Sequence, residues 1–366
     1  MTRSRTVRTI GVFCFPTSSY NQAIAIAAFQ RVRTAGYRPF LIRDEVALAA
    51  VHLEVAGYVG LFGPGQAEFL RASGLPAVNV SQAHGASPFP SVLPDNRAAG
   101  RLAAEHLLER DYHTIVYVPR PGLVYSELRG AGVRATVKAA GGRYLEWTNQ
   151  DTAAAWRDLP LPAGLVAADD AVADRVLETA AQQGRHVPDQ LAVVGITNDA
   201  IECATAVVPL SSVDLNGAVI GDRAARLLLR LIAGRPAPRR PILIAPSGVV
   251  TRASSDMLAA ADPFVARVVR YARDHLAEGI GVNQLADKFH ISRRHLSWLF
   301  QRQADYTPVE MLQHLAVARA KQLLAARNLS IAQVAARCGY NNLSHFGLLF
   351  RKLTGATPAD YRGVEE

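Results

Sequence analysis

From residue 7 to residue 250 the chain alternates short, unbroken apolar runs with longer stretches whose apolar positions recur every three or four residues. The short runs predict strands over Thr9–Phe15, Arg38–Ile42, Gly57–Phe62, Ala77–Val80, Thr114–Val118, Leu165–Ala168, Leu191–Ile196 and Ser211–Val213. The longer ones predict helices over Asn21–Ala35, Gly65–Ser73, Asn96–Arg110, Leu128–Ala140, Ala171–Gly184 and Gly217–Ala233. Strand and helix in alternation imply a parallel sheet covered on both faces, in which each strand is apolar throughout. There is room for two such sheets, hence for two α/β lobes.

In this architecture ligands sit beyond the carboxyl ends of the strands. Polar residues there are Tyr20 and Asn21, Asp95, Arg129, Asp169 and Asp170, and Thr197, Asn198 and Asp199. The aspartates also stand before helices or turns, where a carboxylate commonly caps amides instead.

The pattern breaks at TRASSDMLAAA, read as a linker over residues 251–262, and everything after Asp262 has helical periodicity. Two helix-turn-helix patterns follow, Val282–Gln303 and Ser330–Lys352. In the first, Leu285, Ala286 and Phe289 mark a short amphipathic helix, His290 and Ile291 make the turn, and Ser292 is placed to cap the next helix. Leu296, Leu299 and Phe300 form the buried stripe of that helix, leaving Arg293, Arg294, Ser297, Gln301 and Arg302 on the opposite face. In the second, Ser330 caps a helix containing Ile331, Val334 and Ala335, Gly339 supplies a left-handed stop, and Asn341–Gly355 is the second reader. Its stripe is Phe346, Leu349 and Phe350; Leu343, Ser344, His345 and Gly347 lie where base edges are met, and Arg351 and Lys352 suit phosphates. A helix over Pro308–Ala326 would join the two units, so that each sets one helix in a major groove of double-stranded DNA.

Charge supports this. Of a net +9, residues 263–366 hold 14 Lys or Arg against 8 Asp or Glu, so the basic surplus is concentrated beside the helix-turn-helix units. Composition otherwise narrows by exclusion. The three cysteines, Cys14, Cys203 and Cys338, are too far apart for a disulfide framework or a zinc motif and read as buried thiols; no metal site or cofactor is expected. Arg3, Arg5 and Arg8 before Ile10–Phe15 superficially suggest a secretory signal, but an apolar run of about six residues is too short for one, and nothing reaches the ~18 of a membrane span. A cytoplasmic protein is expected.

ISRRHLSWLF, TPVEMLQHLAVARAKQLL and LSIAQVAARCGYNNLSHFGLLFRKLTGATPADYR together resemble the DNA-binding domain of AraC/XylS-type transcription regulators over its full length. The resemblance implies seven helices, two helix-turn-helix units per half-site and contact with RNA polymerase. It places Arg294, Ser297 and Trp298 at the base-contacting positions of the first reader, and Leu343, Ser344, His345 and Leu348 at those of the second. Trp298 and Leu348 stand where that family commonly has Arg, which reduces hydrogen bonding and suits Trp298 to a thymine methyl or sugar edge.

DNRAAGRLAAEHLLERDYHTIVYV, SELRGAGV, GLVAADDAVADRVLETAAQQGRHVPDQLAVVGI and PLSSVDLNGAVIGDRAARLLLRLIAG resemble the ligand-binding core of LacI-type regulators and periplasmic sugar-binding proteins. Such a sensor before an AraC-type reader is the arrangement of the xylose operon regulators, which WRDLPLPAGLVAADD and IAPSGVVTRASSD resemble in detail. The resemblance implies a periplasmic-binding-protein-like sensor of two α/β lobes joined by three crossings over 1–250, a linker over 251–262 and an all-α DNA-binding domain over 263–366. It implies a homodimer and a sugar effector, a pentose such as xylose, held by Asp95, Arg129, Asp169, Thr197 and Asn198 with Tyr20 and Trp147 against the sugar face. Thr197 occupies a position where relatives have Asp, and Asp169 one where many have Asn.

The function expected is a ligand-controlled transcription regulator, an activator of carbohydrate genes. One alternative is a DNA-binding regulator whose sensor serves only as a dimerisation platform. Another is an enzyme on the α/β core, but no nucleophile elbow, Walker loop, dinucleotide turn or metal-ligand cluster accompanies the aspartates.

Overall fold

The computed structural model describes residues 8–14, 18–42, 55–110, 112–148, 156–185, 187–188, 190–255, 263–304, 306–325 and 329–363. Two compact units make up the protein, Met1–Met257 and Leu258–Glu366. Elements of the first are β1 (Thr9–Phe13), α1 (Ser19–Thr34), β2 (Arg38–Ile42), β3 (Val55–Gly60), α2 (Pro64–Ser73), β4 (Ala77–Asn79), β5 (Val92–Pro94), α3 (Asn96–Leu108), β6 (Thr114–Val118), α4 (Val124–Ala139), β7 (Arg143–Glu146), β8 (Ala163–Ala167), α5 (Asp170–Gln182), β9 (Leu191–Ile196), α6 (Ala200–Thr205), β10 (Ser211–Asp214), α7 (Gly217–Ile232), β11 (Ile242–Ile244) and β12 (Gly248–Val250).

These build two lobes. In the first, parallel strands run in the order β2-β1-β3-β4, and a bridge from Asn79 to Ser91 leads on to β5, itself paired with β11. In the second the order is β12-β10-β9-β8-β6-β7, parallel except for β12. Both faces of each sheet are covered, as the unbroken apolar runs require. Ile10 and Val12 of β1 and Cys14 just after it join the core under α1 and α7, whereas Phe13 packs on the other face with Tyr58, Phe62 and Leu70. In β6, Ile115 and Tyr117 meet α3 and α4, and Val116 and Val118 meet α5. Cys14, Cys203 and Cys338 are free and buried, as their spacing predicts.

The backbone passes between lobes three times, from β5 to α3, from β10 to α7 and from β11 to β12. The crossings touch one another: the Asp95 N–H donates to Ile244 O at 2.8 Å and the Ser247 N–H to Asp214 O at 2.9 Å. Direct bonds also join the lobes, from Val124 N–H to Ala83 O at 3.1 Å and from Ser19 Oγ to Asp199 Oδ2 at 3.0 Å.

Several expectations are corrected. β5, β7, β11, β12 and α6 are absent from the sequence reading. Helix α4 begins at Val124, not Leu128, which puts Tyr125 on it. The linker assignment fails at its start, because Thr251–Ser255 belong to the sensor: Ser254 and Ser255 are buried, and Ser254 O accepts from Val193 N–H at 2.7 Å. The rest of that linker, residues 256–262, and Phe15 lie outside the described residues.

Among the described residues of the second unit are seven α-helices: α8 (Pro263–Asp274), α9 (Val282–Lys288), α10 (Arg293–Ala304), α11 (Pro308–Ala325), α12 (Ile331–Arg337), α13 (Leu343–Thr354) and α14 (Pro358–Gly363). They enclose one core, in which Leu285, Leu296 and Phe300 from the first helix-turn-helix and Val334, Phe346 and Phe350 from the second pack with Met311 and Ala320 of α11. Ser292 and Asn342 cap the two reader helices, accepting from the His295 and His345 N–H at 3.1 and 3.0 Å. Each turn has one left-handed residue, His290 (φ 54°) and Gly339 (φ 79°). None of the described helices is long and apolar enough to cross a membrane.

Candidate functional site

Arg129 is the centre of the candidate site. Helices α3 and α4 cross at two glycines, where a Cβ on Gly100 would lie 2.0 Å from Arg129 O and one on Gly132 2.2 Å from Arg97 O. That close approach sets Arg129 against the start of α3 and the end of β8. Its Nε donates to Asn96 Oδ1 at 2.8 Å and one terminal nitrogen to Ala168 O at 2.5 Å, and its guanidinium lies 4.6 Å from the Tyr125 ring centroid. The residue is only 3% exposed, and burial pushes its pKa down from the ordinary arginine value.

Asp169 follows β8 and caps α5, accepting from the Val172 N–H at 3.0 Å. Its second oxygen accepts from Arg120 at 2.8 Å and Tyr125 Oη at 2.9 Å. Burial pushes this carboxyl up, but the hydrogen bond and charge of Arg120, with Tyr125, outweigh it and hold the group below its usual range. Burial and the same carboxylate raise the Tyr125 hydroxyl to about 12, so it remains a donor. Tyr20 packs into the cores of both lobes; burial raises its hydroxyl, with the charge of Arg129 opposing and that of Asp214 adding.

Thr197 and Asn198 have positive φ, 151° and 52°, the former unusual for a β-branched residue. Buried Asp170 holds this loop, accepting from Thr197 Oγ1 at 2.8 Å, the Asp199 N–H at 2.7 Å and Ser212 Oγ at 2.5 Å. Burial pushes the Asp170 carboxyl up, and those three bonds work against it. Asn198 Oδ1 accepts from Arg252 at 2.9 Å, and its Nδ2 lies 3.5 Å from Asp214 Oδ2.

The sequence-derived residues thus separate into groups. Arg129 and Asp169 come together through Tyr125, and the charge of Arg129 acts on Tyr20. Thr197 spends its hydroxyl on Asp170, and Asp95 caps α3 through the Ala98 N–H at 3.0 Å. Trp147 is buried in the core of the second lobe, edge-to-face with Trp156 at 4.7 Å. The sequence reading missed Arg120, Tyr125 and Arg252. Arg120 stands just past β6, where strand-end reasoning applies equally well; Tyr125 was hidden by the late helix start, and Arg252 by the linker assignment.

Glu202 on α6 makes stability depend on pH. Burial, and then the charges of Asp170, Asp199, Asp169 and Asp174, raise its pKa from 4.5 to about 7. The folded state therefore keeps a proton that the unfolded chain has lost; the associated stability is full below 4.5 and disappears as pH rises through about 7. Glu202→Gln is expected to raise the Tm at about pH 8 and to leave it nearly unchanged at about pH 4.5, by thermal unfolding at both values. An equal shift at both would show that ionisation is not responsible.

In the second unit, Arg293, Arg294, Gln301 and Arg302 of α10 are exposed and Ser297 is half-buried; on α13, Leu343, Ser344, His345, Leu348, Arg351 and Lys352 are exposed. Trp298 is 50% exposed and Leu348 71%, so the two positions that depart from the usual arginine present apolar surface. The Trp298 ring stacks on His295 at 5.7 Å and has Arg302 5.2 Å from its centroid. Such a surface suits apolar contacts such as thymine methyls and sugar edges, while the exposed guanidinium groups of Arg293 and Arg294 have the paired donors that bidentate contact with guanine requires.

Comparison with known proteins bears on both units. Residues 104–255 match the periplasmic binding protein-like domain and residues 285–363 a helix-turn-helix domain. The chain is 31% identical over 309 residues to the xylose operon regulatory protein of Escherichia coli K12, covering 79% of each, and 29% identical over 330 residues to that of Haemophilus influenzae, covering 85% of each. The C-terminal part is 34% identical over 125 residues to the transcriptional activator RhaS of Citrobacter koseri, covering 34% of this chain and 45% of that one. Among solved structures, the xylose-binding transcription activator XylR aligns over 98% of this chain and 99% of its own with a TM-score of 0.63 at 26% identity. A periplasmic-binding-protein-like sensor followed by an AraC-type double helix-turn-helix, in a chain alike to these regulators over most of its length, places the protein in the family of xylose operon regulatory proteins.

Proposed function

We propose that this transcription regulator is switched by a sugar, a pentose of the D-xylose type, and that it activates genes for carbohydrate uptake and breakdown. The observation that carries the reading is the buried Arg129 set beside Tyr125, whose hydroxyl donates to Asp169. A guanidinium and a carboxylate bond paired hydroxyls, and an aromatic ring covers the apolar C–H face of a sugar. The relatives named for xylose support the choice of ligand. On this reading the protein is a homodimer acting on double-stranded DNA in the cytoplasm, contacts RNA polymerase and is not an enzyme.

Sugar binding acts by favouring the lobe arrangement that holds it best, which changes how the DNA-binding domains are presented. A thermal-shift panel of pentoses and hexoses tests the sensor: a ligand at ~100 times its dissociation constant adds about 2.7 kcal/mol of stability. D-Xylose is expected to give the largest shift. Absence of any shift across the panel, phosphorylated sugars included, would leave the sensor as a dimerisation platform only.

For the reader, Arg294→Ala is expected to weaken an operator by about 1–3 kcal/mol and random DNA much less, by titration of both duplexes at one salt concentration. Equal weakening would reassign Arg294 to a phosphate.

A further inference from the structure

The segment Thr251–Ser255 is the last described stretch of the sensor before the sequence enters the DNA-binding unit, and it is fastened to the sheet. Ser254 Oγ donates to Val193 O at 2.7 Å and accepts from the Ser211 N–H at 2.8 Å, while the Arg252 N–H donates to Ser211 Oγ at 2.7 Å. The Arg252 guanidinium reaches back along the strand ends, donating to Leu210 O at 2.7 Å and to Asn198 Oδ1 at 2.9 Å. Asn198 is therefore held from two sides. Its oxygen is on the exit segment, and its nitrogen approaches Asp214, which belongs to one of the three lobe crossings and whose charge acts on Tyr20.

We propose that the Asn198–Arg252 hydrogen bond is the joint through which occupancy of the sensor site reaches the segment entering the DNA-binding domain, with Arg252 as a positioning residue for the ligand response. This rests on the reading that the site binds a sugar. The chemistry of the joint is simple. The asparagine carbonyl is on Arg252 and its NH2 approaches Asp214, so a ligand hydroxyl that draws Asn198 toward itself, or a crossing that moves Asp214, re-aims the amide and alters the bond to Arg252. The left-handed backbone at Asn198, fixed by Asp170, gives the side chain little freedom to follow its old partner. Arg252 then has two arrangements, on Asn198 or off it, and the ligand biases the choice by its differential affinity for them.

Hydrogen exchange of the full-length protein, read by mass spectrometry over residues 251–255, tests the joint with D-xylose as probe. Asn198→Ala without sugar is expected to speed exchange there about tenfold, the effect of losing one hydrogen bond to a charged group. In the parent protein, addition of D-xylose changes exchange over the same residues. Arg252→Ala should start from the fast value, bind D-xylose calorimetrically and show no further change, while Arg252→Lys, which keeps one donor, restores part of the response; unchanged exchange over β8 certifies the fold of each variant. The joint is overturned if Asn198→Ala leaves exchange within about twofold of the parent, or if Arg252→Ala responds to D-xylose in full. Should D-xylose bind neither the parent nor the variants, it is the sugar reading that fails; binding to the parent with no change over residues 251–255 overturns the joint itself.

Discussion

Replacement of Arg129 by alanine is expected to abolish the response to sugar. A guanidinium supplying two hydrogen bonds to ligand hydroxyls, each of about 1.5–3 kcal/mol because the donor is charged, accounts for at least ~100-fold in affinity. The variant also loses stability, because Asn96 Oδ1 and Ala168 O are left without their donor in a buried place, at about 1–3 kcal/mol for each left unsatisfied. The two effects separate by measurement. Unfolding midpoints report the second, calorimetric titration with D-xylose the first, and basal DNA binding should survive. A folded Arg129→Ala protein that still binds the sugar within about threefold of the parent would remove Arg129 from the site.

Gly339→Ala is expected to be the most damaging single change in the DNA-binding domain. Gly339 turns the second helix-turn-helix at φ 79°, where a side chain costs about 1–2 kcal/mol. Its Cβ would also lie 2.4 Å from Leu276 O and 3.0 Å from Gly279 Cα, backbone atoms that cannot swing aside. The combined cost should exceed ~3 kcal/mol, with DNA affinity lost and D-xylose binding by the sensor retained. Gly355 provides the control, since it has φ 81° but nothing within 4 Å of its Cβ, so Gly355→Ala should lose only the conformational part. Equal losses at the two positions, by thermal unfolding, would mean that the contact with Leu276 does not matter.

The unequal legibility of this sequence has physical causes. Buried strands such as Leu191–Ile196 announce themselves because both faces are covered, and the helix-turn-helix units because caps, stripe and turn recur in fixed order. Short strands interrupted by polar residues or proline carry no such signal. Arg143–Glu146 is polar and Val92–Pro94 ends in proline, and both exist because a neighbouring strand pairs with them. Thr251–Ser255 has the composition of a linker for the same reason that it is not one: its hydroxyls satisfy buried backbone groups on β9 and β10, a use invisible to composition. In the site, Arg129 and Asp169 are readable from strand ends, but the service of Thr197 to Asp170, the burial of Trp147 and the pairing of Arg120 with Asp169 depend on long-range packing.

Whether a sugar sets where this protein sits on DNA is decided by sequencing the genomic fragments that the purified full-length protein retains with and without D-xylose. A small set of sites beside genes for pentose uptake and breakdown is expected, with occupancy that changes on adding D-xylose and does not change in Arg129→Ala. Identical occupancy of the same sites with and without the sugar, in a protein shown by calorimetry to bind it, would refute control of DNA binding by the sensor.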